Sequence, residues 1–96
     1  DQLKSNIKTS IKNYYSLFEM RSSLLDVARK NLEFANKSFL LAQKKYSQGV
    51  LSSMDLLIFK NNLQNAQLKY IESEYNKLEI YLQIKRIIGD LLIDYN

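Results

Sequence analysis

Proline, cysteine, histidine and tryptophan are all missing from this chain, and glycine occurs only as Gly49 and Gly89. Each absence excludes something. Gly and Pro are the commonest turn formers, so a chain nearly without them has few turns. One break near the middle and one near the end is the simplest organisation. Without cysteine or histidine there can be no disulfide framework, thiolate nucleophile, imidazole base or His/Cys metal centre. No catalytic residue, metal ligand or cofactor is therefore nominated. Nor does any apolar run approach the ~20 residues that a membrane-spanning helix needs. The chain opens Asp-Gln-Leu-Lys, polar from the first residue, so no signal peptide is expected within it, and an exported parent would contribute this segment as an excised piece.

What is present is a single small domain of 96 residues, 46% hydrophobic and 25% charged, with a formal net charge of +4. The bases run from Lys4 to Arg86 with acids such as Glu33, Glu72 and Glu79 among them. A nucleic-acid surface would gather its bases on one face. This distribution reads instead as a solvated helical surface, and no nucleic-acid partner is expected.

The hydrophobic spacing is regular. Ile7, Ile11, Tyr14, Phe18, Arg21, Leu25, Ala28, Leu32, Ala35, Phe39, Ala42 and Tyr46 alternate steps of four and three, with Arg21 the one polar member. Sustained 4-3 spacing marks a coiled-coil seam. From Leu25 the seam alternates large with small side chains, which lets two helices approach closely. A second seam follows at Leu56, Phe59, Leu63, Ala66, Tyr70, Ser73, Lys77, Ile80, Ile84, Ile87 and Leu91. Folded about residues 50 and 51, the seams match Tyr46 with Leu56, Phe39 with Leu63, Ala35 with Ala66 and Leu32 with Tyr70, and paired positions always sum to 101 or 102. The fold class is all-α: one long antiparallel helical hairpin. Arm one covers about 2–47, the tip about 48–52, arm two about 53–88 and a tail 89–96. Arms of about 40 to 45 residues would measure roughly 60 to 68 Å.

The tip carries helix-end chemistry. Lys44 and Lys45 complement the dipole of the last turn, and Gly49 suits the left-handed position beyond it. Ser52 can cap the second helix, with Asp55 three residues on. Gly89 is expected to end or bend the second arm. Arg21 and Lys77 interrupt the two seams within a layer of each other, where they would act as a register device or pair with Glu19 or Glu74.

A second apolar stripe accompanies each seam: Leu17, Met20, Leu24, Val27, Asn31, Phe34, Ser38 and Leu41 on the first arm, then Leu57, Asn61, Gln64, Leu68, Ile71, Tyr75, Leu78 and Leu82 on the second. Each is read as lying about 100° from its seam, and the two as facing opposite sides of the hairpin. A two-helix hairpin buries only its internal seam, so these outer stripes call for neighbours.

The tip sequence Tyr46-Ser47-Gln48-Gly49-Val50-Leu51-Ser52-Ser53-Met54-Asp55-Leu56-Leu57, with Leu63, Ala66 and Tyr70 downstream and a closing Gly89-Asp90-Leu91, resembles the TolC-like outer-membrane efflux protein family. Hairpins of that family carry a Tyr-x-x-Gly tip, an Asp-Val/Leu-Leu run six residues after the Gly, and a Leu…Ala…Tyr return helix. The likeness extends over nearly the whole chain. It implies a hairpin, the second of two repeats, standing in the periplasmic α-barrel of a homotrimeric outer-membrane channel. It also implies an adaptor protein in the periplasm and, through it, an inner-membrane transporter. By the same resemblance Gly49, Val50, Leu51 and Ser52 match the tip that docks onto the adaptor, and Asp55 matches an acidic position at the tunnel entrance. Two departures stand out. Leu51 lies where family members often have arginine, which would make docking more apolar. Ile58 lies where some members have a second acid, so a carboxylate ring in the assembled channel would be single. Two other readings compete: the coiled-coil hairpin of a periplasmic adaptor, of which Leu51-Ser52-Ser53 is a partial echo, and a cytoplasmic scaffold or signalling coiled coil, which would show one dominant seam and charged flanks.

Overall fold

The computed structural model describes the backbone of residues 2–95 and the side chains of residues 2–92. Two helices account for nearly all of it: α1, Gln2–Ser47, and α2, Ser53–Tyr95. They lie side by side as an antiparallel hairpin 71 Å long and 15 to 18 Å across. The radius of gyration, 21.2 Å, is far above the roughly 12 Å of a compact chain of this length.

The seam read from the sequence is the interface between the helices. Leu25, Ala28, Ala42 and Ile80 are buried, the last with 1% of its surface exposed. Every other seam residue is half-buried except Tyr46, which lies exposed at the tip end. Ala28 and Ala35 line the same groove as Ser73 and Ala66, the pairs expected from the 101 register. The core is thus a single row of contacts, and no other layer supports it.

Gly89 behaves differently from expectation. It neither ends nor interrupts α2, which continues to Tyr95, so the tail 89–96 is helical as far as it is described, with Asn96 outside the described residues. A lone glycine costs a helix only about 1 kcal/mol relative to alanine. Ile87 and Leu91, both half-buried seam residues on either side of it, keep the helix packed through that point.

The stripes also need one correction. On α1 each stripe residue precedes a seam residue by one, which does put the stripe about 100° round. On α2 the stripe residues follow the seam by one and two residues in turn, so that stripe averages roughly 150° round and looks away from α1. Accordingly Tyr75, Leu78 and Leu82 border a shallow depression formed by α2 residues alone.

Candidate functional site

The tip is built by two helix-end motifs back to back. The Val50 amide donates to the Lys45 carbonyl at 2.9 Å and the Gly49 amide to the Tyr46 carbonyl at 3.0 Å. These are the two bonds of a Schellman motif, with Gly49 as its left-handed residue at φ 76°. On the other side Ser52 Oγ accepts the Asp55 amide at 3.2 Å, and the Ser52 carbonyl accepts the Leu56 amide at 3.0 Å. Ser52 therefore caps α2. Asp55 is in the first turn, where its negative charge favours the helix dipole.

This turn brings Gly49, Val50, Leu51, Ser52 and Asp55 together at one extremity of a long rod. Val50 is 71% exposed and Met54 73%, while Leu51 is half-buried. The end of the molecule thus presents an apolar knob (Val50, Met54) beside an exposed carboxylate (Asp55).

Along the shaft, the stripes are exposed. Met20, Leu24, Val27, Phe34 and Leu41 on α1, and Leu57, Leu68, Ile71, Tyr75, Leu78 and Leu82 on α2, each show more than half of their surface, with Phe34 at 74%. Leu17 and Ser38 are half-buried. On one face, Leu24, Val27 and Phe34 form one wall of an open groove of about 620 Å³. The opposite wall is polar: Asn62, Asn65, Lys69, Glu72 and Asn76 of α2. This polar rail was not singled out in the sequence. Its signal is there in retrospect, since each member sits one residue before an α2 seam position.

Arg21 and Lys77 meet no carboxylate. The Arg21 guanidinium donates from Nη1 to the Asn76 backbone carbonyl at 2.7 Å, tying α1 to α2. Lys77 Nζ stands 5.6 Å from the centre of the Phe18 ring, a cation–π contact. Phe18 in turn lies against Tyr15 and Tyr81, with ring centres 6.5 and 6.4 Å away. Among the described residues the one ion pair is Arg29 with Asp26, at 3.3 Å on the exposed surface. The expected pairings with Glu19 and Glu74 are not made. The aromatic cluster and the cross-helix hydrogen bond hold this layer instead.

Among the described residues, no group of three or more acidic side chains is placed to hold a metal ion, and no helix is long and apolar enough to cross a membrane. No family model, curated protein or solved structure matches the chain.

Proposed function

We propose that this hairpin is a structural stave and docking tip in the periplasmic tunnel of an outer-membrane efflux or type I secretion channel of the TolC-like kind. The observation that carries the reading is the pair of exposed apolar stripes on different faces of one rod. A free-standing coiled coil would cover its apolar surface with a single partner helix. A stave has a neighbour on each side, and so needs apolar surface on each. The tip sequence and the Schellman–cap turn around Gly49 support the same reading.

In this reading the parent is a homotrimer, and the tip (Gly49, Val50, Leu51, Ser52) contacts a periplasmic adaptor that links it to an inner-membrane transporter. The contact is apolar, made by Val50 and Leu51, in place of an arginine-centred one. Asp55, once per hairpin, contributes to a carboxylate ring at the tunnel entrance. The hairpin itself performs no chemistry; cargo moves past it through the lumen.

Two measurements test this. The parent polypeptide should carry amphipathic strands of about ten residues outside this segment, as a transmembrane β-barrel requires, and in planar bilayers it should form trimeric pores. In those pores Asp55→Lys should weaken block by divalent cations. A parent without such strands, or one that does not conduct, removes the channel. Conduction with cation block unchanged leaves Asp55 as a helix-capping acid alone.

A further inference from the structure

We infer that the layer of Phe18, Arg21, Lys77, Ile80 and Tyr81 is a clamp that divides the hairpin into two units. Beyond it the arm ends, residues 2–17 and 82–95, come apart together while the tip side stays closed. The inference concerns the hairpin itself and does not rest on the channel reading.

Side-chain size sets the two units apart. In the 101 register the tip side contains layers in which both partners are small, Ala28 with Ser73 and Ala35 with Ala66. Such layers let the helix axes approach to roughly 8 Å. Beyond the clamp, large side chains face large ones: Tyr14 with Ile87 and Ile11 with Leu91. Those pairs call for axes roughly 10 Å apart. Burial follows the same division. Leu25, Ala28 and Ala42 are buried on the tip side, whereas the seam residues Ile7, Ile11, Tyr14, Ile84, Ile87 and Leu91 are all half-buried.

The clamp gathers the contacts that tie one arm to the other. Ile80, 1% exposed, is the most enclosed side chain among the described residues. The Arg21 guanidinium donates to the Asn76 carbonyl at 2.7 Å, and Lys77 Nζ lies 5.6 Å from the Phe18 ring centre. The rings of Phe18 and Tyr81 meet across the arms with centres 6.4 Å apart. Among the described residues, every other side-chain hydrogen bond and aromatic contact stays within one helix or the tip.

Once parted, the ends do not hold their own helices. Isolated helices of about 15 residues are marginal in water, because packing supplies most of their stability. Lys4, Lys8 and Lys12 also repel at i,i+4 spacing, and no acid stands between Gln2 and Phe18. Parting of the ends is therefore also their unfolding, which amide exchange reads directly.

Hydrogen exchange of the whole chain, followed by mass spectrometry at low concentration, tests the inference. Protection should fall in one step at the clamp, leaving the arm ends about tenfold or more less protected than residues 25–45 and 56–76. Arg21→Gln and Phe18→Ala should each move that step tipward, toward the layer of Ala28 and Ser73. The chain has no cysteine, so Ile11→Cys with Leu91→Cys can be joined cleanly by a short thiol crosslinker. The link should raise protection of the ends to that of the tip side and leave the tip side unchanged. Three results overturn the inference. Protection that declines smoothly toward both ends is ordinary fraying. A step that neither substitution moves shows that the clamp does not set it. A crosslink that protects both sides equally shows a single cooperative unit.

Discussion

Gly49 and Gly89 are the same residue type with opposite duties. Gly49 holds φ 76° at the end of α1, a conformation that costs a residue with a side chain about 1–2 kcal/mol, β-branched residues most. Gly89 sits inside α2, and a Cβ added there would meet nothing within 4 Å beyond its chain neighbours and its own helix's backbone. Two substitutions should therefore move stability in opposite directions. Gly49→Val is expected to lower the unfolding free energy by about 1–2 kcal/mol, and Gly89→Ala to raise it by about 0.5–1 kcal/mol, both measurable by urea denaturation followed by far-UV circular dichroism. The same sign for both would mean that the helix end at Gly49 or the unbroken helix at Gly89 has been misjudged.

At the scale of the helices, stability depends on a seam only one residue pair deep. Ile80 is its one large, almost fully enclosed side chain among the described residues. Ile80→Ala is expected to cost about 2–5 kcal/mol, enough to unfold much of a hairpin with so little core. Ala42, 3% exposed, fills a small-residue layer next to the tip. Ala42→Leu should cost about 1–3 kcal/mol by overpacking, even though it adds apolar surface. Thermal melts of the two variants separate these effects from the stripes: a stabilised Ala42→Leu chain would mean that the helices can move apart there without loss. Arg21 belongs to the same scale. Its bond to the Asn76 carbonyl joins the two arms where each seam carries one cation, Arg21 level with Ile80 and Lys77 level with Leu25 in the same register.

The whole molecule is a rod, and a rod of this width encloses the apolar residues of its seam but not those of its outer stripes. Its melting temperature should consequently rise with protein concentration, because association stabilises the folded state by mass action. Added salt should strengthen that association by screening the +4 charge that each copy carries. A melting temperature independent of concentration would show that the stripes do not contribute to stability through contacts between copies.

Much of this hairpin was determined by the sequence alone, because its information is periodic and local. A 4-3 repeat specifies a seam wherever the helices form, and Gly49 with Ser52 specifies the turn through bonds spanning only a few residues. The tip residues Gly49, Val50, Leu51, Ser52 and Asp55 were legible as a group for the same reason. Three features were settled only by the packed structure. Gly89 stays helical because seam contacts on either side outweigh its poor helix propensity, a balance that propensity does not contain. Arg21 chooses a backbone carbonyl 55 positions away over nearby carboxylates, and Lys77 chooses the Phe18 ring. The polar rail beside the α1 stripe exists as a groove wall only once α2 lies alongside α1. Periodicity states which residues of one helix share a face; only the pairing of two helices decides what that face looks at.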